Sequence, residues 1–271
     1  MVELLVVVGI IVLIIGISLP VLVSARKKAA RTRMSIDLQA LSQALDAYRQ
    51  DFKDYPRIDY SATNPLIVNA LPNVVDRLGA VTLCWALLSP GPATQDGNDG
   101  TGFRVRGTQG TVYGPYIQPD KFLISGTTDY DSTINDVDGN PYLYFPGNKG
   151  ANIGTYNGTT NYGYASIYMP ASAAAGAIAP MYNCNDNTLA SVIAQQLGPA
   201  PTGWPTATPW TWATAMQTTL GDTGTGTAGS TPPDGMIDGS ETPATTGPYL
   251  LWGAGPDQLW GSTDDVTNFT N

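Results

Sequence analysis

The first 28 residues, MVELLVVVGIIVLIIGISLPVLVSARKK, constrain the rest of the chain more than any other stretch. Between Glu3 and the basic cluster Arg26, Lys27 and Lys28 lie 22 uncharged, mostly apolar residues, Leu4 to Ala25. As a helix rising about 1.5 Å per residue they span roughly 33 Å, which matches a bilayer hydrocarbon core of about 30 Å. A secretory signal peptide differs in two ways: its apolar region runs only about 7 to 15 residues, and it follows a basic start. Here the acid comes first, and Arg26, Lys27, Lys28, Arg31 and Arg33 follow, as at a headgroup surface. Pro20 falls inside the helix, where it removes a backbone hydrogen bond and is expected to kink or loosen the preceding turn.

Glu3 needs a physical reason, because an ionised carboxylate at membrane depth costs a few kcal/mol or more and tends to find a partner. Two readings stay open. Either Glu3 pairs with an α-amino group of this chain or of a neighbouring copy in a dry core of packed helices, or it sits at the aqueous rim, where it costs little. Farther on, Met34, Leu38, Leu41, Leu45, Tyr48 and Phe52 recur at spacings of 4, 3, 4, 3 and 4, an apolar stripe on one side of a helix. One helix of about 50 residues is therefore expected, apolar all round at first, amphipathic later, and closed by Tyr55-Pro56. With only three heptads, the stripe reads as a face packed on the chain's own core and not as a coiled-coil seam.

The run VELLVVVGIIVLI, a proline seventeen residues after the glutamate, and DLQALSQALDAYRQDFKDYP together resemble the type IV pilin and type II secretion pseudopilin superfamily, most of all its major pseudopilins. Two further blocks are similar in the same order: DVDGNPYLYFPGNKG at 136–150 and GAGPDQLWGSTDDVTNF at 253–269. The three cover about 90 of the 271 residues. The resemblance implies an α+β pilin fold, with a long N-terminal helix packed on a small antiparallel sheet and long loop insertions. It also implies a basic leader cut before a hydrophobic residue, N-terminal methylation, and a glutamate fifth in the mature chain. Glu3 is third here, so the written start is expected either two residues inside the mature terminus or at a misplaced methionine. The chain is longer than a major pseudopilin, with the excess at about 86–130 and 151–246.

Charge divides the chain the same way. Residues 1–57 hold eight Lys or Arg against five acids, a net of +3; residues 58–271 hold five against seventeen, a net of -12. A sequence pI near 4.3 argues against nucleic-acid binding, which needs a basic face. There is no histidine, which removes the commonest general base and zinc ligand, so no enzyme is expected. Gly224, Gly226 and Gly229 match a dinucleotide fingerprint, but Ser-Thr-Pro-Pro-Asp-Gly follows where a helix should begin. Asp136, Asp138 and Asn140 mimic the start of an EF-hand loop, yet Pro141 stands where glycine is required, so a polar turn is expected there. Asn157 and Asn268 head Asn-x-Thr triplets of the kind that arise by chance in a Thr-rich chain.

The expected division is 1–28, the transmembrane and filament-core half of the long helix, and 29–271, a globular head with its amphipathic helix half at 29–55 and an α+β part at 56–271. Within the head, a short helix is expected near VTLCWALL, strands at 142–145, 162–169 and 248–252, and short helices at 189–197 and 210–220. Cys84 and Cys184 are compatible with one disulfide in an oxidising compartment or with two buried thiols. Asp257, Asp264 and Asp265 fall within nine residues of a Gly-bounded loop and suit calcium, or are solvated turn aspartates. The resemblance favours calcium, although Gln258 replaces the glycine that usually follows the first aspartate.

The function these expectations converge on is a structural subunit that polymerises through its apolar helix into a helical pilus or pseudopilus, with Glu3 setting register and Pro20 letting the helix loosen. Its partners would be copies of itself, the inner membrane before assembly and, by resemblance, a prepilin peptidase and an assembly platform. Its location would be the inner membrane, then a periplasmic or cell-surface filament. The alternative is a single-span anchored binding or adhesion protein, or a minor pilin acting as a monomer.

Overall fold

The computed structural model describes residues 2–58, 77–88, 103–104, 111–126, 131–147, 154–156, 159–161, 182, 184–187, 218–221, 244–245, 247–262 and 264–269. Helix α1, Val2–Phe52, is 51 residues long, about 77 Å at 1.5 Å per residue, and runs unbroken through Pro20. Its halves have opposite environments. Every described side chain from Glu3 to Ala29 is exposed, whereas Met34, Leu38, Leu41 and Leu45 are buried and Tyr48 and Phe52 half-buried, as the stripe predicts. The helix stops three residues before Tyr55. Lys53 turns left-handed at φ 65°, its N–H reaches the Arg49 carbonyl at 2.8 Å, and its Nζ reaches the Gln50 carbonyl at 2.8 Å. The last carbonyls are thus satisfied locally, before the proline can end the helix by sterics.

The second helix, α2 at Leu78–Leu88, is apolar and almost wholly buried, and it contains the expected VTLCWALL segment. Its start is fixed by Asn187, whose Oδ1 accepts the Ala80 N–H at 3.0 Å while its Nδ2 donates to the Tyr144 carbonyl at 2.7 Å. Gly79 lies so close to that strand that a Cβ would collide with the Tyr144 carbonyl oxygen.

The strands are short: β1 Phe103–Arg104, β2 Val112–Tyr113, β3 Leu123–Ser125, β4 Thr133–Asn135, β5 Leu143–Pro146, β6 Gly154–Tyr156, β7 Thr159–Asn161, β8 Tyr249–Gly253 and β9 Val266–Thr267. They pair antiparallel as β1-β2, β3-β4, β6-β7 and the three-stranded β5-β8-β9, so four small sheets take the place of the single one expected. β5 and β8 correspond to the strands expected at 142–145 and 248–252. The segments at 162–169 and 189–197 lie outside the described residues, as does 210–217; Thr218–Leu220 is helical. The long N-terminal apolar helix and the antiparallel sheets make the layout α+β.

The three-stranded sheet is covered on both faces, and the period-2 alternation sorts its side chains. Tyr144, Tyr249, Leu251 and Val266, with the adjoining Tyr142, join the stripe of α1 and Leu83, Cys84 and Leu87 of α2 in one core. Leu143, Phe145, Leu250 and Trp252 face a second core with Tyr182, Leu220, Trp260 and Phe269. The lower end of the head is fastened to α1 through Asp37, which accepts from Arg33 Nε at 3.0 Å and from the Tyr142 hydroxyl at 3.1 Å. Cys84 is a free thiol in the first core, its pKa pushed up to about 12 by burial. Among the described residues it has no disulfide partner, and its side chain lies between α1 and the sheet within an apolar cluster. The Cys184 side chain lies outside the described residues.

Candidate functional site

The three aspartates singled out from the sequence come together. After β8 the chain enters a turn at Gly255, with φ 68°, whose carbonyl accepts the Gln258 N–H at 3.1 Å. Gln258 is itself left-handed at φ 64°, the conformation that suits the missing glycine. Within the loop that follows, Asp257, Asp264 and Asp265 each offer an oxygen, and these oxygens all lie within 4.8 Å of one another.

Each carboxylate is oriented by short polar contacts. Asp257 Oδ1 accepts the Leu259 N–H at 2.9 Å. Ser262 Oγ donates to Asp264 Oδ1 at 2.6 Å and is 3.2 Å from Asp265 Oδ1. Asp265 Oδ2 accepts Trp252 Nε1 at 2.6 Å and the Gly261 N–H at 2.7 Å, which ties the loop to the central sheet. Burial pushes the Asp265 carboxyl up to about 7 against the opposing pull of Trp252 and Gly261. Asp257 is raised as well, by burial first and then by the charge of Asp264. Three carboxylates whose oxygens converge on a short loop, with Asp257 and Asp265 raised, are an arrangement able to hold a hard cation. Sequence reading missed Ser262 and Trp252. A serine beside paired aspartates was a signal for the first, but nothing local marks a strand tryptophan as the donor to an aspartate 13 residues away.

The polar turn at 136–140 forms as expected. Asp136 Oδ1 accepts the N–H groups of Asp138 and Asn140, both at 2.9 Å, and it is buried, which raises its pKa. Asn268 is used structurally, its Oδ1 accepting the Leu251 N–H at 2.7 Å.

At the other end of the molecule, Glu3 stands exposed in the first turn of α1. Pro20 leaves the Gly16 carbonyl without its usual donor, on a stretch exposed all round. Among the described residues α1 is the one helix long and apolar enough to cross a membrane, and none of that stretch is covered by the head. Compared with known proteins, the chain matches no protein-family model, no curated protein and no solved structure.

Proposed function

We propose that the chain is the structural subunit of a pilin-type filament, held in the inner membrane by its stem and then packed with other copies through that stem into a helical pilus or pseudopilus. The observation that carries this reading is the division of α1. One unbroken helix has its second half built into the head and its first half bare, apolar on every side and, among the described residues, with no covering of its own. Burying apolar surface is worth about 25 cal/mol per Å², so the stem requires either lipid or other stems around it.

Glu3 would then sit where stems converge, and a neighbour's amino terminus would neutralise it in a chosen axial register. Pro20 marks the place where the stem can loosen as it leaves lipid. The head would face outward, and its acidic surface would keep finished filaments apart. Electron microscopy of sheared surface material and of purified protein tests the reading: it expects rods. A second reading draws on the basic residues that close the apolar run. They suit a permanent single-span anchor that displays the head as a monomer, and membrane fractions holding the protein without rods would select it.

For the loop at 257–265 we propose calcium held by Asp257, Asp264 and Asp265, which would neutralise the three carboxylates and fasten the chain end to β8 through the Asp265–Trp252 bond. Chelation of the full chain in detergent should lower its melting temperature, and added calcium but not potassium should restore it. An unchanged melting temperature removes calcium from the account.

A further inference from the structure

Where the stem enters the head, a cleft of about 570 Å³ opens between α1 and the C-terminal loop, within the range of roughly 300–1,000 Å³ typical of small-molecule sites. Its lining includes Arg31, Ser35, Trp252, Ser262, Asp265 and Thr267. We propose that, while the aspartate loop holds no metal ion, this cleft takes the headgroup of phosphatidylethanolamine, with the phosphate at Arg31 and the ammonium at Asp265. The inference rests on the stem being seated in lipid.

Three observations converge on it. The first is height. Arg31 lies six residues beyond Ala25, about 9 Å along the helix, and the headgroup layer is about 5–8 Å deep on each side. A long guanidinium can lean back into that layer. The cleft thus opens where lipid headgroups are the nearest polar matter.

The second is the charge pattern. Arg31 is exposed and makes no ion pair among the described residues, whereas Arg33 is committed to Asp37. Among the described residues that line the cleft, Arg31 is the one free cation and Asp265 the one carboxylate, the reverse image of a zwitterion. An anionic headgroup with no amine would place a second negative charge near Asp265.

The third is hydrogen-bond capacity. Asp265 Oδ2 is taken by Trp252 and Gly261, but among the described residues Oδ1 receives only the 3.2 Å contact from Ser262. A carboxylate has about four acceptor positions, so Oδ1 retains one for a donor. A primary ammonium brings N–H donors to it. The trimethylated amine of phosphatidylcholine has none.

The test uses the full chain in phosphatidylcholine nanodiscs doped with phosphatidylethanolamine or with phosphatidylglycerol, with chelator present so that Asp265 is not engaged by a metal ion. Native mass spectrometry then reads the lipid retained on the released protein. Phosphatidylethanolamine should be retained roughly tenfold over either competitor, the scale of one charge-assisted contact. Arg31→Gln, on an exposed helix face, should abolish that preference without unfolding the head. Ser35→Trp, which fills the cleft, should do the same. Co-elution with the discs reports stem insertion separately. A chain that inserts but shows no lipid preference overturns the cleft alone, and so does a preference for phosphatidylglycerol, which would assign binding to the basic residues of the stem. Retention unchanged in Arg31→Gln also overturns it. A chain that never enters the discs removes the membrane reading and this inference together.

Discussion

Gln258 shows how one residue can record a compromise. It holds φ 64° in the turn that presents Asp257, and the left-handed region costs an L-residue about 1–2 kcal/mol relative to glycine. Gln258→Gly should therefore stabilise the metal-free head by about 1 kcal/mol, read as a higher melting temperature in chelator. A lower one would mean that the glutamine side chain has contacts worth more than the strain. A different compromise is buried at Asp186, whose Oδ1 has no hydrogen-bond partner among the described residues. Burial raises its folded-state pKa well above the ordinary value, and Asp136 shifts the same way for the same reason. An acid that holds its proton more tightly folded than unfolded favours the fold while protonated. That contribution is complete below the unfolded pKa near 4 and is lost as pH rises through the raised folded value. Asp186→Asn cannot ionise, so its melting temperature should pull ahead of the parent's as pH climbs from about 4 toward 8. A gap that stays constant with pH would show that ionisation at this site does not govern stability.

At the level of elements, the two halves of α1 make opposite predictions for the same change. Leu41 has no exposed surface and sits among α2 and sheet residues, so Leu41→Ala should cost the head about 2–5 kcal/mol. Leu13 is 64% exposed on the bare stem, so Leu13→Ala should leave the head's melting unchanged. Equal losses at the two sites would contradict the division of the helix. That division could be read from the sequence because the spacing of 4 and 3 from Met34 to Phe52 is a purely local signal, as are the short apolar, aromatic runs of β5 and β8. The end of α1 was misplaced by three residues because Lys53 closes it through backbone geometry that leaves no compositional trace. β3, β4 and β9 could not be read at all. They are two or three residues long, too short for a period to show, and exist only through pairing, β3 with β4 and β9 with β8. The bond from Tyr142 to Asp37 spans 105 positions, and no pattern in either segment announces the other. The aspartate loop was legible as a cluster of donors, but its anchoring by Trp252 was not.

For the whole molecule, the question is what a bare apolar stem about 33 Å long does with an acid at its tip. In the membrane Glu3 can remain at the water interface, and there its removal should change little. In a bundle of stems it would lie among apolar neighbours, where an unpaired carboxylate costs several kcal/mol. That penalty would be relieved only in the register that brings an amino group to it, so each added subunit would be steered to one axial position. Glu3→Ala removes both the penalty and the steering. The variant should therefore fractionate with membranes as the parent does, with a head that melts at the same temperature, yet yield no rods in micrographs of sheared material. Membrane retention and head melting thus isolate assembly from insertion and folding. Rods of ordinary length from Glu3→Ala would show that packing of the apolar surfaces sets the register unaided, and Glu3 would then be no more than a polar end to the helix.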